Sequence, residues 1–478
     1  MSQNTLNRRK FIKNSALTAA GFYIVPRHVL GKGYVPPSDK LNIGAVGAFG
    51  KGWVNLSNSW NNGAENIVAM SDVDWDFAKD SAKKWPKAHR YTDWREMLNK
   101  EKDALDAVIV STPDHNHAVV AMAAMQLGKH VYVEKPLTHN IYEARMLTEA
   151  AAKYRLVTQM GNQGTSSNGV RQLQEWYNAG IMGTVNRVHV WSDRPVWPQG
   201  IPTPTKKGKM PKNMNWDVWI GPAQYRNFNP AYHPFKWRGW WEFGTGALGD
   251  MGCHIIDPPF KVLGLGYPTE VVCSVAAVFR QDWIPEYLPD SCPPASVVHL
   301  KFPATAKNPV PCEMIWYDGG MQPPVPEEMG SEALPTNGAI FEGSKGKVIC
   351  ELFGEKARLL PESRMQGSDI LNIKASIPRV EGGVDGHQTQ WVNACKAGYS
   401  NMPTSSSFDY SGPLTEAVIM GNLAIRSYNL RKERSGGGFD FPGRKRLYWD
   451  GANMKITNFD EANQFVRRQY RAGWSLGV

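Results

Sequence analysis

The sequence predicts an α/β fold: an N-terminal doubly wound parallel sheet, followed by a C-terminal α+β domain with a large open, mostly antiparallel sheet. Short apolar runs alternate with helical segments in the first third of the chain, and alternating strand patterns replace them after about Gly183. A glycine-rich turn follows the first apolar run. The 478 residues suffice for two or three domains, and the 42% hydrophobic content excludes wholesale disorder.

The net charge of +10 is unevenly distributed along the chain. Half of it comes from five basic residues near the N-terminus: Arg8, Arg9, Lys10, Lys13 and Arg27. The remaining chain has two short basic runs, 206–209 and 431–434, which we interpret as solvated loops because a nucleic-acid surface needs a larger basic stripe. No apolar run approaches the roughly 20 residues that span a bilayer, which excludes a polytopic membrane protein.

The N-terminus has the pattern of an export signal. Arg8 and Arg9 lie in a twin-arginine segment, residues 7–13, and the uncharged, largely apolar residues 14–26 are too short to span a membrane. We therefore expect residues 1–35 to be a twin-arginine signal and linker, and the protein to be periplasmic. Because this route carries folded proteins, it favours a cofactor loaded in the cytoplasm. The alternative is the basic amphipathic helix of a cytosolic protein.

The alternation of strands and helices begins after this linker and defines a first domain, residues 36–163. Its predicted strands are residues 41–48, 67–70, 107–110, 131–133 and 156–160, and its predicted helices include residues 117–127 and 142–155. Right-handed crossovers place the carboxyl ends of parallel strands at one edge of the sheet, where ligands bind. We therefore expect functional residues just after these strands.

The second predicted domain, residues 164–445, is an α+β unit. Its predicted strands are residues 185–191, 271–278, 297–302, 311–317 and 339–342, and its predicted helices are residues 247–263 and 388–396. An open sheet needs its exposed face covered, so we expect a homo-oligomer, a dimer or tetramer, assembled through this sheet. Residues 446–478, with a predicted helix at 460–470, are expected to pack back on the body as a tail.

The six cysteines show no metal or disulfide pattern. They contain no C-x-x-C pair, which predicts buried free thiols. One oxidised pair, such as Cys292–Cys312, is the alternative for an exported protein. No metal is expected, because Asp250, His254 and Asp257 on one helix do not complete a coordination shell without distant ligands.

A glycine-rich loop follows the first predicted strand. In a G-x-G-x-x-G register the three positions are Gly47, Phe49 and Gly52, so a phenylalanine takes the middle position, with Gly50 beside it. Such glycines let backbone amides and a helix N-terminus approach a pyrophosphate. The loop therefore indicates a dinucleotide site, and the alternative is a β–α turn that binds nothing.

Two acidic residues follow the second predicted strand. A carboxylate at Asp72 or Asp74 accepts hydrogen bonds from adenosine ribose hydroxyls and repels a 2′-phosphate, which favours NAD over NADP. The alternative for either residue is an N-cap of the next helix.

Candidate catalytic groups occur in both halves of the chain. Lys135, in Glu134-Lys135-Pro136, follows a predicted buried strand, where a lysine can donate to a substrate hydroxyl. Asp250 and His254 are four residues apart and share one face of a predicted helix. A histidine that a carboxylate orients is suited to act as a general base near neutral pH. The alternative is an ordinary salt-linked helix.

These motifs together resemble the Gfo/Idh/MocA family, which includes glucose–fructose oxidoreductase and inositol dehydrogenase. The resemblance rests on the glycine loop, residues 111–117 (STPDHNH), the EKP tripeptide and the D-x-x-x-H pair, and covers about residues 40–428. The tail is similar to that of exported, carbohydrate-active bacterial members. Phe49 and a long insertion, residues 191–241, depart from the family pattern.

The resemblance implies a Rossmann domain that binds NAD, with Lys135 facing Asp250 and His254 across the nicotinamide. It implies a set of cofactor-binding residues: Gly47, Phe49, Gly50, Gly52, Asp72, Asp74, Ser111, Pro113, His117, Glu134 and Lys135.

The insertion is rich in tryptophan, with seven of the 18 in the chain. Aromatic faces stack on sugar rings, so we expect this loop to frame a saccharide beside His254. The candidate substrate contacts are Trp191, Tyr232, His233, Arg238, Trp240 and His387. The alternatives are that the tryptophans pack the loop onto the sheet and that His387 is structural.

The expected function is an NAD-dependent oxidoreductase of carbohydrate catabolism, which transfers a hydride from a sugar or glycoside carbinol carbon to tightly bound NAD. His254 would take the hydroxyl proton, Lys135 would polarise the oxygen, and Asp250 would orient the histidine. The first alternative is a glycoside hydrolase that works by transient oxidation and elimination, with no net redox change. The second is an NAD-binding sensor without catalysis.

Overall fold

The N-terminal domain is a six-stranded parallel sheet with helices on both faces. In the computed structural model, which describes residues 39–477, the strand order is β3-β2-β1-β4-β5-β6, which confirms the predicted doubly wound sheet. The strands are β1 (Asn42–Val46), β2 (Asn66–Ser71), β3 (His89–Tyr91), β4 (Ala107–Val110), β5 (His130–Val133) and β6 (Thr158–Met160). The helices are α1 (Lys51–Trp60), α2 (Lys79–Lys84), α3 (Trp94–Glu101), α4 (Asp114–Gln126) and α5 (Ile141–Tyr154). The expected export signal lies outside the described residues.

The second domain contains a nine-stranded sheet of order β15-β14-β13-β7-β12-β11-β8-β18-β19. Within the described residues of this sheet, β7 and β12 form the only parallel pair, which confirms a mostly antiparallel sheet. Its strands are β7 (Val185–Trp191), β8 (Glu270–Val275), β11 (Ser296–Phe302), β12 (Cys312–Tyr317), β13 (Gly338–Gly343), β14 (Gly346–Glu351), β15 (Arg358–Leu360), β18 (Leu447–Asp450) and β19 (Lys455–Ile456). Two small hairpins are β9 (Phe279–Gln281) with β10 (Ile284–Pro285), and β16 (Lys432–Glu433) with β17 (Phe439–Asp440).

Seven helices accompany these strands within residues 39–477. They are α6 (Asn168–Asn178), α7 (Trp216–Ile220), α8 (Gly246–Ile255), α9 (Asp257–Leu263), α10 (Ser368–Leu371), α11 (His387–Ala397) and α12 (Phe408–Tyr428). One of them, α11, packs on the first sheet, where its Trp391 joins Tyr132 of β5 and Leu56 of α1 in a buried cluster. The two domains therefore share core packing.

Several helical segments differ from the sequence-based expectation. Residues 247–263 form two helices that meet at Ile256, because Pro258 and Pro259 lack the N–H groups that would continue a single helix. The sequence pattern did not indicate α12, whose buried residues surround its axis and leave no amphipathic stripe.

The C-terminal tail packs against both domains. Its strand β18 extends the second sheet beside β8. The predicted helix at 460–470 is wrong, because only a 3₁₀ turn forms over Asp460–Phe465. Beyond this turn, the Tyr470 hydroxyl donates to Glu143 of α5 at 2.8 Å, which attaches the tail to the N-terminal domain.

All six cysteines are buried and free, as predicted, so the alternative Cys292–Cys312 disulfide does not form. Among residues 39–477, no helix has both the length and the apolar character needed to cross a membrane.

A buried ion pair joins the first domain to the long helix of the second. Arg145 on α5 donates from Nε to Oε1 of Glu416 at 2.8 Å and from Nη2 to Oε2 at 2.9 Å. The Glu416 side chain is 1% exposed, so loss of the arginine would leave a buried carboxylate without its cation.

We expect Arg145→Met to lower the free energy of unfolding by about 3 kcal/mol, measured by urea denaturation followed by circular dichroism. Lys100→Met is the matched control, because the Lys100–Glu96 pair is 59% and 49% exposed. Its effect should stay below about 0.5 kcal/mol. Equal losses in the two variants would contradict this assignment.

Candidate active site

A cavity of about 500 Å³ lies at the carboxyl edge of the first sheet. The loops that follow β1, β2, β4 and β5 line it on one side. Helix α8 and the insertion line it on the other. Ligands of doubly wound sheets bind at this edge, so the cavity is the candidate site.

The glycine loop has the shape that a pyrophosphate requires. Gly47 has φ +85°, and a side chain there would collide with the Ser111 carbonyl. Gly50 has φ +60°, and the position that a Cβ would take is open space. Lys51, the first residue of α1, also lines the cavity. Open backbone, a helix N-terminus and a cation together fit a pyrophosphate.

The other two loop residues occupy different positions. Phe49 is half exposed at the cavity mouth, where its ring lies 5.3 Å from the ring of Phe77. Gly52 does not line the cavity and lies against the Gly47 carbonyl in the first turn of α1. Gly52 therefore allows the close approach of helix and strand.

Asp72 and Asp74 both line the cavity after β2. The Asp72 carboxylate accepts the amides of Ala48 and Asp74, at 2.8 and 2.9 Å. Burial raises the pKa of Asp72 to about 6, although these amides oppose the shift. The N-cap of α2 is Ala78, so neither residue caps this helix directly, but Asp74 Oδ1 accepts the amides of Asp76 and Phe77 in the turn before it, which partly supports the N-cap alternative.

Three further expected cofactor residues, Ser111, Pro113 and Glu134, line the cavity. Glu134 accepts a hydrogen bond from Nδ2 of Asn55 at 2.8 Å, which fixes the carboxylate against α1. His117 does not line the cavity, because its two ring nitrogens lie 2.8 Å from the carbonyls of Pro136 and Thr112. His117 therefore holds the two loops together.

Several buried polar atoms of the cavity wall have no hydrogen-bond partner within the described chain. They are Asp74 Oδ2, Thr112 Oγ1, Asn116 Oδ1, Gln163 Oε1, both ring nitrogens of His233 and Nδ1 of His254. Buried polar atoms are rarely left without partners. A dinucleotide, which carries many donors and acceptors, would satisfy atoms of this kind, so the wall fits NAD.

Lys135 and Asp250 meet in the cavity. Lys135 Nζ lies 2.6 Å from Asp250 Oδ1 and also donates to the Asp250 carbonyl at 2.8 Å. Arg238 Nε lies 3.3 Å from the same Oδ1. Burial alone would raise the pKa of Asp250, but Lys135 and Arg238 outweigh it and lower the pKa to about 2. Asp250 is therefore a carboxylate that neutralises these cations.

His254 lines the same cavity one helical turn further along α8. Burial, together with the positive charge of Lys135, lowers its pKa to about 3. Its ring packs edge-on against Phe353, with centroids 5.2 Å apart. Within residues 39–477 no hydrogen bond joins Asp250 to His254, and the Asp250 carboxylate contacts Lys135 and Arg238 in place of the expected histidine.

Of the six expected substrate contacts, His233 and Arg238 line the cavity. The other four, Trp191, Tyr232, Trp240 and His387, are buried elsewhere, and their positions do not support direct contact with a ligand.

Each of these four side chains has a structural partner. Trp191 donates to the Pro335 carbonyl at 2.7 Å, and Trp240 donates to that of Ala231 at 2.8 Å. The Tyr232 ring packs against Trp240, with centroids 5.3 Å apart. His387 lies between Ser166 Oγ and the Met160 carbonyl, so the structural alternative for this histidine is supported.

The sequence motifs missed several residues that line the cavity. They are Lys51, Phe77, Trp94 and Gln163. Lys51 was detectable, since it follows Gly50 at the start of a helix. The other three carry no local pattern that points to a ligand. Among residues 39–477 no group of histidine, cysteine, aspartate and glutamate side chains is arranged to hold a metal ion.

Two family models match the chain. Residues 41–162 match the model of the Gfo/Idh/MocA oxidoreductase family described as its NAD-binding Rossmann fold. Residues 170–282 match the model of the family's C-terminal alpha/beta domain. The first domain is therefore an NAD-binding Rossmann domain.

Known proteins show the same similarity. The chain is 30% identical to a glycosyl hydrolase family 109 protein of Shewanella pealeana, over 31% of this chain and 37% of the relative. It is 23% identical to the levoglucosan dehydrogenase of Pseudarthrobacter phenanthrenivorans, over 45% of this chain and 46% of the relative. The matches thus span less than half of the length of these relatives.

The fold is similar to that of the WlbA dehydrogenase from Bordetella pertussis, solved in complex with NADH and UDP-GlcNAcA. The TM-score is 0.54 at 14% identity, over 80% of this chain and 95% of that chain. Both domains thus have counterparts, in sequence and in fold. The chain belongs to the Gfo/Idh/MocA oxidoreductase family.

Proposed function

We propose that the protein is an NAD-dependent oxidoreductase that acts on a hydroxyl group of a sugar or glycoside. The observation that carries the proposal is the meeting of Lys135, Asp250 and His254 in one cavity beside the glycine loop. NAD⁺, when bound, supplies a hydride acceptor for the carbon that bears the hydroxyl. An enclosed site with a base and an ammonium is what such chemistry needs from the protein.

His254 is the proposed general base. Because its pKa is lowered to about 3, the ring is neutral at physiological pH and free to accept the hydroxyl proton. Nδ1 has no partner within the described residues, so no hydrogen bond fixes the tautomer from that side.

Lys135 is proposed to donate a hydrogen bond to the reacting oxygen and to stabilise negative charge on it. Its Nζ has three donors, and Asp250 occupies two of them. The third donor is available to a substrate. Asp250 is thus a positioning residue, which holds the ammonium at the cavity wall and balances its charge.

Two observations support a sugar as the substrate. Trp237 and Arg238 line the same cavity as His254 and offer an aromatic surface and a guanidinium to a polyhydroxylated ring. Levoglucosan dehydrogenase is among the relatives of the chain.

A glycoside hydrolase is the second candidate, favoured by the similarity to a glycosyl hydrolase family 109 protein. Here the carbon that bears the hydroxyl would be oxidised and later reduced again, so that the net change is addition of water across the glycosidic bond. The same base and ammonium serve both reactions.

Two further features of the protein are proposals. We propose export through the twin-arginine route, supported by Arg8 and Arg9. We also propose a homo-oligomer formed through the outward face of the second sheet. The support is that its nine strands form an open sheet, which ends at β15 on one side and at β19 on the other.

Incubation of the purified protein with free sugars and p-nitrophenyl glycosides tests the proposed function. A dehydrogenase should accumulate reduced nicotinamide, measured by its near-ultraviolet absorbance. A glycosidase should release p-nitrophenol without net reduction. Protein that neither carries nor binds NAD would contradict both proposals.

We expect Lys135→Ala and His254→Ala each to lower kcat/KM by about 10²–10⁴-fold, because each removes a group that acts on the reacting oxygen. Lys432→Ala, at a 63% exposed position outside the second sheet, is the control and should leave kcat/KM unchanged. Both variants must still bind the cofactor, which is measured by the quenching of tryptophan fluorescence. Turnover like that of the control would remove the assigned roles.

The pH dependence should follow Asp72 and not His254. Asp72, with its pKa raised to about 6, gains a proton as pH falls through that value and loses capacity as an acceptor, so NAD affinity should fall below pH 6. His254, with a pKa of about 3, should give turnover no acid limb between pH 8 and about 5.

The measurements are NAD titrations and kcat at saturating cofactor, each across this pH range. Asp72→Asn should bind NAD weakly but without the dependence near pH 6. If the pH profile of kcat shows an acid limb centred near pH 6.5 that persists in Asp72→Asn, the prediction for His254 is contradicted.

A further inference from the structure

The insertion is attached to the first sheet on both sides of the glycine loop. After β2, the Asn215 amide donates to the Val73 carbonyl at 2.9 Å. After β4, Asn116 Nδ2 donates to the Trp219 carbonyl at 2.9 Å. Since β1 lies between β2 and β4, the insertion connects the two strand ends that flank the glycine loop.

The C-terminal tail fastens the same part of the insertion. Arg471 donates from Nε to the Gly221 carbonyl at 3.0 Å and from Nη1 to Asp217 at 2.5 Å. The insertion is thus held by the first domain on one side and by the tail on the other.

One side chain of the insertion, His233, reaches the cavity wall that β2 provides. Its ring is edge-on to Phe77 of the first domain, 5.6 Å away, and to Trp219 of the insertion, 6.0 Å away. Burial lowers the pKa of His233 in spite of the nearby Asp74, so the neutral ring offers one donor and one acceptor. Neither nitrogen has a hydrogen-bond partner among the described residues.

The residue that faces His233 is Asp74. Its side chain is 2% exposed, and His233 Nε2 lies 3.6 Å from its Oδ2, beyond hydrogen-bond distance. Oδ2 has no other partner in residues 39–477. Leaving both groups unsatisfied is costly, and a hydroxyl would satisfy both, because it donates to the carboxylate and accepts from the ring.

We propose that His233 is a cofactor-binding residue supplied by the second domain, which together with Asp74 holds a ribose hydroxyl of NAD and so retains the cofactor in the cleft. The inference rests on the proposed function, since it takes NAD as the cofactor. Among the described residues, Asp74 accepts the amides of Asp76 and Phe77 on Oδ1 alone and keeps Oδ2 free, so it can accept one ribose hydroxyl beside the one proposed for Asp72. A 2′-phosphate there would face the Asp74 carboxylate, so the pair also favours NAD over NADP.

The test is the rate of NADH release from the full-length protein, followed as loss of nicotinamide fluorescence after a chase with excess NAD⁺. His233→Ala should release NADH about tenfold faster and raise its Kd by a similar factor, as expected for one lost hydrogen bond. His233→Gln, which keeps hydrogen-bonding groups, should lie between wild type and His233→Ala. Tyr225→Ala is the matched control, since Tyr225 is 61% exposed on the same insertion.

A double-mutant cycle decides whether the two residues act together. Asp74→Asn combined with His233→Ala should release NADH no faster than the faster single variant, and Asp74→Asn should bind NADP⁺ better relative to NAD⁺. Release by His233→Ala within twofold of the Tyr225→Ala rate, or additive effects in the cycle, would overturn the inference. Wild-type protein that binds no NADH would instead overturn the proposed function.

Discussion

The contact between Lys135 and Asp250 is the interaction on which the site depends, because it joins the end of β5 to helix α8 of the other domain. Both side chains are about 15% exposed, so each charge needs the other. The ammonium keeps Asp250 ionised, and the carboxylate holds the ammonium at the cavity wall. Because His254 lies on the same helix, this one contact also fixes the position of the proposed base relative to the glycine loop.

The electrostatics of the three groups are mutually consistent. A buried imidazole beside Lys135 cannot easily take a second positive charge, and its pKa falls to about 3. Arg238 adds a further cation, held against the rings of Trp237 and Phe235 at 4.2 and 4.6 Å. Asp250 therefore balances the charges of Lys135 and Arg238 and makes no hydrogen bond to His254 within residues 39–477, while the histidine is neutral.

The spacing of residues along the sequence was sufficient to identify candidate site residues, but it did not identify their contacts. The i, i+4 spacing of Asp250 and His254 and the place of Lys135 after a buried strand identified three residues that line one cavity. The resemblance placed Lys135 opposite Asp250 and His254, but the direct Lys135–Asp250 contact was not predicted, because it depends on how two segments remote in sequence pack together. Helix α12 was missed because burial on all sides removes the amphipathic signal on which helix prediction relies. His117 and His387 show the same limit, since both are satisfied by backbone carbonyls that only the fold brings near.

The sequence predicts that the tryptophan-rich insertion frames a saccharide, but most of its aromatic residues form a small hydrophobic core of their own. Trp216 stacks on Trp219 with centroids 4.4 Å apart, and Tyr232 and Trp240 pack beside them. Such a core makes the insertion move as a unit, because separating its rings would expose large apolar surfaces. A side chain that it carries into the cleft, such as His233, can then withdraw only if the insertion shifts as a whole. The aromatic residues therefore serve mainly to hold the insertion together.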